Sequence, residues 1–89
     1  MYGRLTLKKE FGKRVRYLRR NHEMTQEQLA EIVNCSVNFI SLIENGKSSP
    51  SLDTLIRLAK ALNVEIGELF KFDEIPKFKG TRVKRLSDE

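Results

Sequence analysis

From Ser36 to Asn45 the chain reads SVNFISLIEN, and Asn38, Ser41, Leu42 and Asn45 share one side of a helix drawn through it. Ile40 and Ile43 take the opposite side, and Val37 and Phe39 flank the polar stripe. Amides and hydroxyls of this kind donate and accept hydrogen bonds without carrying charge. An ordinary exposed helix face is filled with Lys, Glu and Arg. This one has none, and Glu44, the helix's single charge, falls near the buried border. A surface sheds charge where it is to be desolvated, because burying an unpaired charge is costly. Such a stripe suits the base edges of a DNA groove or a protein partner, and an unremarkable helix of a small domain is the further reading. Asn38 suits the first, since its amide can pair bidentately with the N7 and amino edge of adenine, worth about 1–3 kcal/mol of discrimination. Val37 and Leu42 suit thymine methyls, and Ser41 either donates or accepts. Phe39 has the bulk to pack against a neighbouring helix or a sugar and is not counted as a base reader.

Catalysis has little to work with. Cys35 and His22 are the sole cysteine and histidine, and they fall at opposite ends of one short predicted helix. Cys35 reads as a small, partly buried turn residue. No glycine loop is shaped to cradle phosphate, and no carboxylate pair shares a face in a likely cleft. One thiol and one imidazole cannot make a zinc cluster or an internal disulfide. No enzyme, cofactor or metal is therefore expected.

The elements that must hold the stripe are legible as helices. Leu7, Phe11, Val15 and Leu18 recur at the spacing of one helix face, with Thr6 as its cap and an end near Asn21. Lys9, Lys13, Arg16 and Arg20 line the other side, a ladder whose ordinary role is solvation. Thr25 opens a second helix, with Gln28 three residues on completing a capping box. Leu29 and Val33 face inward beside Ala30, whose small side chain lets two helices cross closely. Asn34 sits where the chain reverses and tolerates the left-handed conformation. Ser36 caps the third helix, and Asn45-Gly46 stops it. Ser51 caps a fourth, predicted to turn Leu52, Leu55, Ile56, Ala59 and Leu62 inward with Leu58 at the edge and Asn63 as its close. Val64 and Leu69 bracket a short fifth helix starting near Glu65.

Five amphipathic helices joined by short connections predict an all-α bundle. A domain over residues 1–75 is expected, with the helix-turn-helix at about 25–45 and the exposed-stripe helix at about 36–45. Residues 76–89 are basic, lack a helical period, and read as a flexible or partner-ordered tail. A weak alternation from Phe78 to Val83 also allows an edge strand.

Eighty-nine residues suffice for one small core. The charge of +5 favours an anionic partner without choosing among nucleic acid, membrane and acidic protein. Position narrows the choice. Residues 1–22 hold eight basic side chains and one acid, and residues 71–89 hold six and four, so positive charge flanks the uncharged stripe. No apolar run approaches the roughly 20 residues of a membrane span, and no secretory signal is apparent. A reducing, cytoplasmic setting, associated with the nucleoid, is the economical expectation.

The run TQEQLAEIVNCSVNFISLIENGKSSPSLDTLIRLAKALNVEIGELF closely resembles the Cro/lambda-repressor-like, or XRE, family of helix-turn-helix regulators. The Thr-Gln opening, Leu29-Ala30, Ile40, Ile43, Glu44-x-Gly46-Lys47, Pro50-Ser51-Leu52 and Leu-Ala-Lys-Ala-Leu all fall in register, across about Phe11 to Phe70. Two departures stand out: Asn34 and Glu23 occupy positions where the family usually or often has Gly. The resemblance implies a five-helix domain, usually a two-fold dimer on double-stranded DNA. Each recognition helix then enters the major groove, with half-site centres about 34 Å apart.

It also implies roles. Gln26 matches a position that contacts the DNA backbone and braces the recognition helix. Ser36, Val37 and Asn38 match its groove-facing end. Lys47 and Ser48, with the amides of Asn45 and Gly46, match a phosphate clamp. Arg19 matches an arginine that pairs with Glu44 and touches phosphate, although a purely structural ion pair explains it as well. Leu58, Leu62, Phe70, Phe72 and Ile75 are the expected homodimer contacts. The implied function is sequence-specific transcriptional regulation at a palindromic operator, and no small-molecule ligand is expected because no sensing domain is present. The rival is an antitoxin or protein-interaction adaptor of the same fold, docking its protein partner on the tail from Lys71 onward, where Phe72, Ile75 and Phe78 lie.

Overall fold

The computed structural model describes residues 4–72. Four α-helices follow in order: α1 (Arg4–Asn21), α2 (Gln26–Val33), α3 (Val37–Glu44) and α4 (Leu52–Ala61). A single 3-10 helix, Ile66–Phe70, closes the described chain, and no strand occurs among the described residues. The fifth α-helix expected from the sequence is therefore this short 3-10 turn. Its N-terminal residue, Glu65, makes no side-chain capping bond, and five residues are too few to repay helix nucleation. The expected tail at 76–89, Phe78 included, and Ile75 before it lie outside the described residues.

Three helix starts are pinned by hydroxyls. Thr25 Oγ1 accepts from the Gln28 amide at 3.0 Å while Gln28 Oε1 accepts from the Thr25 amide at 2.8 Å, a complete capping box. Ser36 and Ser51 accept from the amides of Phe39 and Thr54. Thr6 does not cap α1, which begins two residues earlier.

All four α-helices end in one and the same turn. Glu23, Asn34, Gly46 and Asn63 adopt left-handed backbone, with φ of 56°, 60°, 74° and 56°. The amide after each reaches back to the carbonyl five residues before it: Met24 to Arg19, Cys35 to Ala30, Lys47 to Leu42 and Val64 to Ala59. This is the Schellman closure, which satisfies carbonyls that a helix end would otherwise orphan. A left-handed residue other than glycine costs about 1–2 kcal/mol. Asn bears that with least strain and Glu23 with most, so the departures noted in the sequence change the residue and keep the turn.

The core is built from Phe11, Val15 and Leu18 of α1, Leu29, Ala30 and Val33 of α2, Ile40 and Ile43 of α3, Leu58, Ala59 and Leu62 around α4, then Leu69 and Phe72. Burying each Leu or Ile is worth about 1.5–3 kcal/mol. α3 packs on α1 and α2, α4 packs on α2, and the 3-10 helix rests on α1 and α4. Arg57 ties α4 to the end of α2 by donating to the Val33 carbonyl at 3.3 Å.

Here several expectations change. α4 is rotated about its axis: Leu58 and Leu62 are wholly buried, whereas Leu52 is 77% exposed and Ile56 is also exposed. Leu58 and Leu62 therefore belong to the core and are unavailable for a dimer contact. Phe72 is buried too, packed edge-on to Phe70 at 6.1 Å between ring centroids. Phe70 itself remains exposed on one side while stacking on Phe11 at 5.2 Å. On α1, Leu7 is exposed rather than inward.

Arg14 is the unexpected occupant of the interior. It donates from Nε to the Glu68 carbonyl at 2.8 Å, sits 3.6 Å from the Glu68 carboxylate, and lies over the Tyr17 ring. Those contacts fasten the 3-10 helix to α1.

Candidate nucleic-acid interface

α3 stands at the surface because α1 holds its far end at backbone contact. Gly12 makes that possible: a Cβ there would meet the carbonyl oxygens of Ile43 and Glu44, only 2.6 Å from the latter. Glycine inside a helix costs up to about 1 kcal/mol relative to alanine. Here the cost secures a close approach no other residue permits.

Held this way, α3 turns Ile40, Ile43 and Glu44 into the protein. Val37, Asn38, Leu42 and Asn45 are exposed and Ser41 is half-buried, so the stripe drawn from the sequence forms one accessible face. Phe39 is partly buried and packs against the core. Ser36 is exposed, but its hydroxyl oxygen already accepts the Phe39 amide. Asn45 Nδ2 lies 3.4 Å from Ser41 Oγ, the outer limit of a hydrogen bond.

The one charge in α3 is the hub of the seam behind that face. The Glu44 side chain has no solvent exposure, and Arg19 grips both its oxygens, Nε to Oε2 at 2.7 Å and Nη2 to Oε1 at 3.0 Å. Gln26 Nε2 donates to Oε1 at 2.9 Å and Arg16 Nε to the same oxygen at 3.3 Å. Burial alone would raise this carboxyl's pKa. The bonds from Arg19 and Gln26, the Arg19 charge and the bond from Arg16 outweigh burial and hold it below the ordinary carboxylate range. Glu44 therefore stays ionised and ties α1, α2 and α3 together at one point.

Arg19 is drawn into the protein. Its Nη1 donates to the Met24 carbonyl at 2.8 Å, so all three guanidinium nitrogens are engaged, and its side chain is 9% exposed. The geometry favours the structural ion pair. Gln26 does brace α3 through Glu44, and it stays partly accessible at the start of α2.

Lys47 and Ser48 follow the turn that ends α3, Lys47 exposed and Ser48 half-buried. Comparison of the four helix ends isolates Lys47. At the equivalent positions of the other three turns, Met24, Cys35 and Val64 pack against the core. Only here does the turn present a cation instead of an apolar plug. Gly46 has Lys9 of α1 against it: a Cβ at 46 would lie 2.8 Å from Lys9 Cγ.

Three features of this seam were not anticipated from the sequence. They are Gly12, the bond of Arg16 to Glu44, and the bond from Arg16 Nη2 to Asn45 Oδ1 at 3.1 Å. The signal for Arg16 was present, since it lies one turn before Arg19 on the same helix and so reaches the same partner.

Among the described residues no group of His, Cys, Asp and Glu is placed to hold a metal ion, and no helix is long and apolar enough to cross a membrane.

Comparison with known proteins gives a consistent result. The helix-turn-helix family model matches residues 15–69. An uncharacterized HTH-type transcriptional regulator of Archaeoglobus fulgidus is 39% identical over 61 residues, covering 68% of this chain and 87% of that protein. The control protein C.SmaI of Serratia marcescens is 37% identical over 65 residues, covering 73% and 77%. Among solved structures, the restriction-modification controller protein C.AhdI of Aeromonas hydrophila superposes with a TM-score of 0.68 at 35% identity, covering 70% of this chain and 94% of that one.

Proposed function

The chain belongs to the Cro/lambda-repressor-like (XRE) family of helix-turn-helix transcriptional regulators, and from that premise we propose that it binds a palindromic operator in double-stranded DNA as a homodimer. The observation that carries the reading is the division of α3 into a buried ion and a bare face. Glu44 is sealed behind the helix while Val37, Asn38, Leu42 and Asn45 stand exposed without a charge among them. That face enters the major groove, with Asn38 as the adenine reader and Val37 and Leu42 against thymine methyls. Ser41 adds a further hydrogen bond. Gln26, Lys47, Ser48 and the amides around Gly46 grip the sugar–phosphate backbone and fix the register.

The homodimer contact falls on Phe70 and Ile66, apolar side chains of the 3-10 helix that the folded subunit leaves exposed. Two-fold pairing through them presents two recognition helices to successive turns of one face of the duplex. Regulation then follows protein concentration through dimer assembly. The antitoxin or adaptor reading rests on the tail from Lys71 onward, of which Phe72 is buried in the subunit and residues 73–89 lie outside the described residues.

Selection of bound duplexes from a random pool tests the proposal. Half-sites rich in A·T pairs opposite Asn38, Val37 and Leu42 are expected, since α3's exposed stripe carries no Arg or Lys to read guanine. Recovery of guanine-rich half-sites, or of no sequence at all, would refute it.

A further inference from the structure

We propose that Arg16, rather than Arg19, is the arginine of α1 that grips a DNA phosphate. This rests on the DNA reading above and extends it to a residue outside the expected contact set. The two arginines share one carboxylate, so the Arg16–Glu44–Arg19 cluster carries one surplus positive charge. Where that surplus resides is decided by geometry. Arg19 is 9% exposed, with its fork closed on Glu44 and the Met24 carbonyl, whereas the Arg16 side chain is 35% exposed. Arg16 makes its longer bond, 3.3 Å, to an oxygen that already accepts from Arg19 and Gln26.

Arg16 is also in the right place. Its Nη2 donates to the side chain of Asn45, the last residue of the reading face, and Lys47 follows two residues on. Exposed Lys9 lies against Gly46 on the same corner. Arg16, Lys9 and Lys47 thus surround the C-terminal end of α3 with cations, and Glu44 is the carboxylate bonded to any of them among the described residues. A guanidinium fork matched to phosphate geometry, partly exposed and held in place by two hydrogen bonds, suits a phosphodiester oxygen beside the groove. Because Glu44 keeps the bidentate Arg19, Arg16 can turn to phosphate without stranding the buried carboxylate.

The test uses the full chain with Arg16→Gln and two probes: a duplex recovered by selection on the unmodified protein, and a duplex of random sequence. Each neutralised phosphate contributes about 0.9 to the slope of log affinity against log salt. Arg16→Gln is expected to lower that slope by about 0.9 per subunit and to weaken both probes by the same factor, with the thermal midpoint kept by the Arg19–Glu44 pair. An unchanged slope, whatever the affinity, overturns the inference. So does a loss confined to the selected duplex, which would make Arg16 a positioning residue for Asn45. If the unmodified chain bound neither probe, the DNA reading itself would fall. Binding by the unmodified chain with an unaltered slope in the variant removes only the assignment of Arg16.

Discussion

Gly12 of α1 and Glu44 of α3 meet backbone to backbone, so closely that a methyl group on Gly12 would lie 2.6 Å from the Glu44 carbonyl oxygen. Neither partner is a flexible side chain, so the contact cannot be relieved locally. Gly12→Ala gains helix propensity and still destabilises, by about 1–3 kcal/mol or more, as overpacking generally does. In a domain of this size each kcal/mol lowers the thermal midpoint by about 4–8 °C. A midpoint equal to or above that of the unmodified protein in a circular-dichroism melt would show that α1 and α3 do not approach this way.

Acid should loosen the same seam. The folded-state pKa of Glu44 lies below its ordinary value, so the stability it contributes is complete above that value and is lost as pH falls through the depressed one. Denaturant midpoints followed into acid should decline over that window, and Glu44→Gln should flatten the decline. Glu44→Ala leaves Arg19 buried without its counter-ion and is expected to cost about 3–5 kcal/mol. An acid limb of equal steepness in Glu44→Gln would place the titration elsewhere.

Reading and gripping should separate by mutation. Asn38 is exposed on the proposed groove face and Lys47 on the corner after it. Asn38→Ala is expected to lose about 1–3 kcal/mol of preference for the selected duplex while leaving random-sequence binding nearly intact. Lys47→Ala should weaken both duplexes alike and lower the salt slope by about 1. Competition titrations with the two probes measure this directly, and identical profiles for the two variants would erase the distinction.

Ile66→Glu tests the assembly. Ile66 is exposed in the subunit, so the substitution leaves the core untouched while planting a charge in the proposed two-fold contact. Sedimentation equilibrium should show a shift to monomer, with the melting profile at low concentration little changed. A dimer of undiminished strength would move the interface away from the 3-10 helix.

Much of this architecture was legible in the sequence because short-range chemistry decides it. Thr25 with Gln28, Ser36 and Ser51 mark helix starts through bonds spanning three residues, and Asn34 and Gly46 mark reversals through backbone conformation alone. The uncharged stripe was legible for the same reason, since one helix period places Asn38, Leu42 and Asn45 together. What escaped depends on how helices lean on each other. The apolar band of α4 is wide enough for either edge to face inward, and packing against α2 chose Leu58 over Leu52 and Ile56. The helix period alone does not mark Arg14 as an interior residue, because its burial depends on the 3-10 helix whose Glu68 carbonyl it bonds. Gly12 carries no side chain to signal its importance, and Arg16 declares its role only once Glu44 arrives from 28 residues away.

The four matching helix closures have a kinetic consequence. Each is completed within six consecutive residues, so the chain settles the direction of every bend before remote segments have met. Little loop entropy then stands between the collapsed chain and its finished form, which puts this domain among those that fold in microseconds to milliseconds. Under the proposed control by abundance, such a chain would be ready for assembly almost as soon as it leaves the ribosome.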